Sequence, residues 1–250
     1  MDTQIKISNK NWNGYFVPKQ NAKIIKEGIE NNIAPFLFND GKINTSTIIN
    51  VNNGFSLNAK ELIPLQIVKA KNGYDSNFVG TYQTANKAHT NIKADEKGTY
   101  YNWKDKNGDF QHSAFFFAEQ TESPEKFNDY AKSNLKQKYY GTDKTITVTN
   151  PSDYLASYVA ACKTGAKLEV KPEVVDAFKN DMLKVCDNEL KRTNAEKDTS
   201  IKPLHTVLFE ADTKALEIIK QINPQKEKEQ NPQQKVEHKN SQKRSSGYDR

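Results

Sequence analysis

Apolar side chains recur every three or four residues in two stretches near the start of the chain, which predicts two amphipathic helices. The first stretch spans residues 22–32. The second begins after Asn58, which is followed three residues later by Glu61 as in a capping box, and it ends at Gly73. Residues 1–20 show no clear period, so we expect an irregular lead-in there.

Three runs of residues favour β-strands, one between these two helices and two after them. Residues 44–51 are rich in β-branched side chains, residues 99–103 are mostly aromatic, and residues 110–119 contain three consecutive phenylalanines. Asn107-Gly108 predicts a hairpin between the second and third runs. The continuous phenylalanine run predicts a strand that is buried on both faces.

A short polar helix is predicted just before the aromatic run. Thr81 stands where the N-cap of a helix over residues 84–92 would lie, and we expect Asn91 to end that helix in a left-handed turn. Gly98 follows in a tight turn and is expected to adopt an unusual backbone angle. This order places lysines beside aromatic surfaces, a combination that single-stranded nucleic acid can use.

The second half of the chain is mostly helical by pattern. Residues 145–149 predict a short strand, and Asn150 followed by Pro151 predicts the start of a helix that ends at Gly165. Other helices are predicted over residues 127–135, from Pro172 onward and over residues 204–222.

These elements predict an α+β fold, in which a small antiparallel sheet with packed helices is followed by a mostly helical part. The predicted divisions are an irregular lead-in (1–20), a nucleic-acid-binding α+β domain (21–122), a helical accessory domain (123–222) and a disordered basic tail (223–250). The tail has one aliphatic residue, Val236, and one aromatic residue, Tyr248, so it cannot offset its chain entropy by burial.

Composition excludes some classes of protein. The chain has no run of about 18 apolar residues, so we expect no transmembrane helix, and its N-terminus lacks the apolar segment of a secretory signal. Cys162 and Cys186 lie on separate predicted helices without metal-ligand spacing. Buried thiols in a reducing cytoplasm are therefore expected in place of a disulfide.

The net charge of +6 is unevenly distributed. Residues 1–120 carry +3, residues 121–220 are neutral, and residues 221–250 carry +3. Positive charge in the first part is compatible with nucleic-acid binding, whereas a neutral second half favours protein contact. The abundance of Lys and Asn is equally explained by an AT-rich genome.

Four motifs occur in order in the first half of the chain. They are Ile33-Ala34-Pro35-Phe36, the run from Asn50 to Asn58 (NVNNGFSLN), Thr81-Tyr82-Gln83-Thr84-Ala85, and Glu96-Lys97-Gly98-Thr99 with Trp103 beyond it. Together they resemble the N-terminal domain of ArdC-type antirestriction proteins. The resemblance covers roughly residues 20–120. Three positions depart from the family pattern: Phe36 replaces Trp, Leu57 replaces the second Gly of its motif, and Asp95 stands where the turn usually has its first Gly.

The resemblance implies a domain that binds single-stranded DNA, on a protein of a mobile genetic element such as a plasmid, conjugative element or phage. We expect the binding residues among the lysines, aromatics and one asparagine of this region. The candidates are Asn58, Lys69, Lys71, Tyr82, Lys87, Lys93, Lys97, Tyr100 and Trp103. Tyr101 and Trp103 would share one face of a strand and Tyr100 the other, so at most one pair is exposed. For any single aromatic, core packing is the competing interpretation.

Catalytic motifs are missing from the sequence. None of the four histidines lies in an H-E-x-x-H motif, which members of the ArdC family often carry in a metallopeptidase-like domain, and there is no nucleotide-binding glycine loop. We therefore expect the metallopeptidase domain of the family to be absent, and with it any catalytic residue, metal or cofactor.

The leading hypothesis is a non-catalytic, cytoplasmic single-stranded DNA-binding protein with an antirestriction or DNA-protecting role. Its helical second half would be an accessory domain that can dock a partner protein. An alternative is a protein-interaction factor, such as an effector or inhibitor, that docks its partner through residues 123–222. A third is part of an enzyme whose catalytic chain is separate.

Overall fold

The computed structural model describes residues 9–38, 42–104, 106–107, 110–136, 141–191 and 200–223. The helices in these ranges are α1 (Asn9–Glu30), α2 (Ala59–Asn72), α3 (Tyr82–Lys87), α4 (Pro124–Ser133), α5 (Pro151–Thr164), α6 (Pro172–Lys191) and α7 (Leu204–Ile222). The strands are β1 (Ile49–Asn50), β2 (Phe55–Ser56), β3 (Phe78–Gly80), β4 (Thr99–Lys104), β5 (Phe110–Phe117), β6 (Thr145–Val148) and β7 (Lys167–Val170). The fold is α+β, as predicted.

The main sheet has five strands in the order β2-β1-β3-β5-β4. Its pairs are antiparallel except β1 and β3, which run parallel. The chain turns back from β1 into β2, and α2 then connects β2 to β3. The longest pair joins β4 to β5, from Thr99 opposite Phe115 to Lys104 opposite Phe110. The strand β4 therefore forms one edge of the sheet.

The second half contributes helices and a small two-stranded sheet. The strands β6 and β7 pair in parallel, and α5 connects them. Asn150 caps α5 through its side chain, and Gly165 ends the helix with φ of 73°, as the sequence predicts. The strand β7 was not predicted, because it is short and its outward residues Lys167 and Glu169 give it a polar composition.

One apolar core joins the two predicted halves. Ile25 of α1 and Leu62 of α2 belong to the same buried cluster as residues of α5, α6 and α7. The hydroxyl of Tyr158 on α5 lies within hydrogen-bond distance of Gln66 on α2 and of the carbonyl oxygen of Asn44, 2.8 Å away. The division at residue 122 stays a prediction, but apolar packing continues across it.

The helix α1 begins earlier than predicted. The lead-in was expected to be irregular through residue 20, yet the helix starts at Asn9. Val17 is buried and continues the apolar stripe of Ile25 and Ile29 toward the N-terminus. The buried polar residue Asn21 interrupts that stripe, which hides the period in the sequence.

Two further local predictions are wrong. The helix α3 is shorter than residues 84–92, and His89 adopts the left-handed conformation that was predicted for Asn91, with φ of 53°. Thr90 then leaves the helix, because its hydroxyl accepts a 2.9 Å hydrogen bond from the backbone of Ser123. The strand β5 is not buried on both faces, since Phe115 and Phe117 are buried but Phe116 is partly exposed.

Other expectations hold or fall outside the described ranges. Cys162 and Cys186 are buried free thiols, as predicted. No helix in the described part of the chain has the length and apolar character needed to cross a bilayer. The predicted turn at Gly108 and the predicted tail beyond Asn223 lie outside the described residues.

Candidate nucleic-acid interface

The β1–β2 hairpin is joined to α3 by a side-chain hydrogen bond. The hydroxyl of Thr84 donates to Oδ1 of Asn52. Thr84 is buried, and its hydroxyl also accepts a 3.1 Å bond from the backbone N–H of Thr81, as in a capping box. Two of the sequence motifs, residues 50–58 and 81–85, therefore lie against each other.

The tip of this hairpin lies against the C-terminal end of α4. The carbonyl oxygen of Gly54 accepts a 3.3 Å hydrogen bond from the backbone of Lys136. The neighbouring residues Phe55 and Leu135 are both exposed, Phe55 by 51%. Phe55 was missed as a candidate, although it is the aromatic residue of its motif.

The turn before β4 has a different construction from the one predicted. Asp95, at the position where the family usually has Gly, takes the left-handed conformation with φ of 66°. Gly98 does not adopt positive φ. A Cβ atom on Gly98 would lie 2.7 Å from Cβ of Ala114 on β5, so glycine is required there by close packing. Gln120 holds the turn by donating to the carbonyl oxygen of Lys97 at 3.2 Å.

Three aromatic rings form a continuous stack across β4 and β5. Tyr101 stacks on Phe115 with ring centroids 4.1 Å apart and planes inclined by 11°. Trp103 stacks on Tyr101 at 5.4 Å and 28°. Exposure rises along this stack, from 2% for Phe115 to 42% for Trp103. The stack runs from the core to the surface and ends in an exposed indole.

Tyr100 lies on the opposite face of β4. Its ring meets Phe16 of α1 edge to face, with centroids 5.8 Å apart, and it is partly buried. Of the two candidates for a stacking surface, Trp103 is therefore the more accessible.

The N-terminal end of α2 lies beside the end of β4. The side-chain oxygen of Asn58 caps the helix by accepting the backbone N–H groups of Lys60 (3.1 Å) and Glu61 (3.3 Å). The ammonium group of Lys60 donates a 2.7 Å hydrogen bond to the carbonyl oxygen of Asn102. Lys60 was missed by the sequence analysis, and it places a positive charge one residue from Trp103.

Two predicted binding lysines are engaged within the protein. The ammonium group of Lys69 donates to Oδ1 of Asn77 and to the carbonyl oxygen of Asp75, and burial lowers its pKa. The ammonium group of Lys71 lies 3.5 Å from the carboxylate of Glu27. Both lysines stabilise contacts of α2 with its neighbours.

The remaining candidates lie on the surface between α3 and the turn before β4. Lys93 donates a 2.8 Å hydrogen bond to the carbonyl oxygen of Glu119, while Lys87, Lys97 and Tyr82 are exposed. An extended chain advances about 3.3 Å per residue, so Lys97 and Trp103, six residues apart, are separated by at most about 20 Å. The structure thus places the candidates Lys93 and Lys97 near the start of β4, and the candidates Trp103 and Asn58, with the additional residue Lys60, near its other end.

A nearly buried carboxylate lies beside the Trp103 end. The side chain of Glu61 is only 10% exposed, and burial is the main cause that raises its pKa from 4.5 to about 7. Lys163 and Asp212 form an ion pair at 2.6 Å nearby, and Oδ1 of Asp212 accepts a 3.2 Å bond from the backbone of Ala59. Sequence patterns indicate Glu61 only as a capping residue.

Solved structures resemble this chain in fold. The Mn(II)-bound crystal structure of the antirestriction ArdC protein from plasmid R388 aligns with 84% of this chain and 98% of that chain, with a TM-score of 0.50 and 12% identity. The chain has an ArdC-type fold. The metal-free structure of that protein aligns over 83% of this chain and 97% of its own, with a TM-score of 0.41 and 14% identity. No known protein family and no curated protein matches the sequence.

The ArdC-type fold extends beyond the region of sequence resemblance. That resemblance covers residues 20–120, whereas the structural match includes much of the second half as well. The match also covers nearly all of the ArdC chain. This sequence has no H-E-x-x-H motif, but its fold aligns with the ArdC fold in the second half as well.

The described part of this chain offers no donor set that fits the metal in the name of the ArdC structure. Among the residues with described positions, no three His, Cys, Asp or Glu side chains come together in a way that could hold a metal ion. Burial also raises the pKa of the Cys162 thiol to about 12, which opposes the thiolate form that metals bind.

Proposed function

We propose that this chain is a non-catalytic, single-stranded DNA-binding protein of a mobile genetic element, with an antirestriction or DNA-protecting role. The observation that carries the proposal is the stack of Phe115, Tyr101 and Trp103, which ends in an exposed ring. An unpaired base can extend such a stack, whereas a base inside a duplex is already stacked on its neighbours.

Positive charge lies along the same strand. Lys60 is adjacent to Trp103, and Lys93 and Lys97 lie near the start of β4. Lysines contact phosphates without reading base sequence, so we expect little sequence selectivity. A separation of up to about 20 Å between Trp103 and Lys97 suits a strand of several nucleotides that lies along β4.

The biological role is inferred from the fold. The solved structures with this fold are described as an antirestriction protein from a plasmid, and the four sequence motifs resemble the same family. We extend that role to this chain as part of the proposal. The non-catalytic part rests on the sequence, because the chain has no H-E-x-x-H and no recognisable nucleophile motif. Stoichiometric zinc or manganese in protein purified without added metal would contradict it.

The direct test is a binding titration of the full chain with labelled oligothymidylate and with a duplex of equal length, at several salt concentrations. We expect tighter binding to the single strand and a loss of affinity as salt rises. Equal or tighter binding to the duplex would reject the preference for single strands. No binding to either at low salt would reject the proposed function.

A protein-interaction factor is the second candidate, favoured by one observation. Phe209 and Leu216 are 71% and 50% exposed on α7, and they lie seven residues apart on one face of the helix. Exposed apolar side chains at this spacing are typical of a surface that packs against another protein. If the oligonucleotide titrations fail, this surface is the one to test.

A further inference from the structure

The carboxylate of Glu61 lies among charged or titratable groups from four elements. Lys60 on the same helix is 3.7 Å away, and Lys163 of α5, Asp212 of α7 and Tyr101 of β4 all interact with it electrostatically. At the other end of α2, Glu27 of α1 forms an ion pair with Lys71 of α2.

The neighbouring cations are largely committed to other partners. The ammonium group of Lys163 lies 2.6 Å from Oδ1 of Asp212, and that of Lys60 donates a 2.7 Å hydrogen bond to the carbonyl oxygen of Asn102. Glu61 is therefore buried beside cations that it shares with other partners. Burial, opposed by Lys60 and Lys163 and aided by Asp212, raises its pKa to about 7.

The same carboxylate lies next to the proposed stacking surface. Glu61 interacts with Tyr101, whose ring stacks on Trp103 at 5.4 Å, and Lys60 contacts the residue that precedes Trp103. A base stacked on Trp103 would bring its phosphates close to Lys60 and to the carboxylate beside it. A phosphate and an ionised carboxylate repel each other, while a neutral carboxyl group does not.

We propose that Glu61 couples single-strand binding to proton uptake: the strand binds preferentially when Glu61 is protonated, and the bound strand holds that proton in place. This inference rests on the proposed function and adds a regulatory property to its site. No covalent step is involved. The proton comes from solvent and returns to it when the strand dissociates.

The size of the effect follows from Coulomb's law. Two unit charges about 10 Å apart near a protein surface, partly screened by salt, change a binding constant by roughly two- to fivefold. Wild-type affinity should therefore fall by about that factor between pH 6 and pH 8, because Glu61 loses its proton across this interval.

His112 must be separated from this effect. It pairs with Asn102 across β4 and β5, on the face of the sheet opposite Trp103, and is therefore the histidine that lies beside the proposed surface. The variant H112N therefore serves as one control. The variant E125Q, which removes an exposed carboxylate on α4, serves as the matched charge control.

The experiment measures the affinity of the full chain for oligothymidylate from pH 6 to pH 8.5 at fixed ionic strength. We expect E61Q to bind at pH 8 as tightly as wild type does at pH 6 and to lose the pH dependence, while E125Q and H112N keep it. Titration calorimetry at pH 7 in two buffers of different ionisation enthalpy should show net proton uptake by wild type and none by E61Q.

The outcomes separate the two proposals. Binding that does not depend on pH, or a pH dependence that E61Q retains in full, would overturn the role of Glu61 and leave single-strand binding intact. If H112N abolishes the pH dependence of binding, the proton is taken up by His112 and the role of Glu61 is overturned. Absence of binding at every pH would reject the proposed function and this inference with it.

Discussion

Trp103 stacks on Tyr101 with ring centroids 5.4 Å apart, and Tyr101 in turn covers Phe115 in the core. The inner ring of this pair is held by core packing, so the outer ring has a fixed orientation before any ligand arrives. A preorganised ring loses little conformational entropy when a base stacks on it. This relationship makes Trp103 the most informative residue to replace.

We expect W103A to lose about 1–3 kcal/mol of affinity for single-stranded DNA, while the salt dependence of binding stays unchanged, because a ring contact involves no phosphate. The conservative variant W103F should recover part of the loss. Fluorescence anisotropy at three salt concentrations measures both quantities. Unchanged affinity in W103A would mean that the base does not stack there.

Lysines beside α3 and the turn before β4 should act through phosphates. We expect the triple variant K87A/K93A/K97A to bind all single-stranded sequences more weakly, with a salt slope reduced by about 2, because each lost phosphate contact on a single strand removes roughly 0.7. The matched control K126A/K144A/K171A removes the same charge from exposed positions elsewhere. If both triple variants weaken binding equally, the effect is one of net charge and this surface is not the site.

The local structure predicted best was that fixed by caps and turns. Asn58, Asn150 and Thr81 begin helices, and Gly73 and Gly165 end them, because each residue type satisfies a specific backbone need at that position. The end of α3 was placed wrongly because His89 takes a left-handed angle, and the side chain of Thr90 is held by Ser123, far along the chain. A contact between Thr90 and Ser123 cannot be predicted from the residues around either one.

The candidate site was predicted in part. Alternation along β4 correctly put Tyr101 and Trp103 on one face, but which face is exposed depends on what packs there. Lys60 and Glu61 were missed as site residues because their role comes from contacts with β4, α5 and α7. Lys69 and Lys71 were included because of their charge, although their partners Asn77 and Glu27 engage them within the protein.

The raised pKa of Glu61 also predicts that the stability of the protein depends on pH. Its pKa in the folded state, about 7, lies above its ordinary value of 4.5, so the folded state binds the proton more tightly. The favourable contribution of proton binding at Glu61 to the free energy of unfolding is therefore complete below about pH 4.5. It is lost as the pH rises through about 7. We expect E61Q to be more stable than wild type at pH 8 by up to roughly 2–3 kcal/mol and to lose this advantage toward pH 4.5.

Urea unfolding of both proteins between pH 4.5 and 8.5 measures that difference. The change of the difference with pH matters more than its absolute value, because glutamine has packing effects of its own that do not vary with pH. The free energy of unfolding of E125Q should follow that of wild type over the whole pH range. A difference between E61Q and wild type that stays constant over this range would show that Glu61 does not titrate near neutral pH.

Gly98 controls where the turn before β4 lies. A Cβ atom at this position would come within 2.7 Å of Cβ of Ala114 and 2.8 Å of the Phe116 ring, so G98A must push β4 away from β5 or strain the turn. Overpacking of this kind typically costs about 1–3 kcal/mol. The control G141A should be nearly neutral by comparison, because nothing lies within 4 Å of the added atom and φ there is not left-handed.

The same substitution tests whether the lysines and the stack act as one surface. Because Gly98 lies between Lys97 and the stack on β4, its displacement should weaken single-strand binding at temperatures where G98A remains folded. Thermal unfolding gives the loss of stability, and anisotropy titrations give the loss of affinity. Wild-type affinity in a destabilised G98A would show that Lys97 and Trp103 contribute independently. Unfolding of G98A and G141A at the same temperature would contradict the close packing of Gly98 against β5.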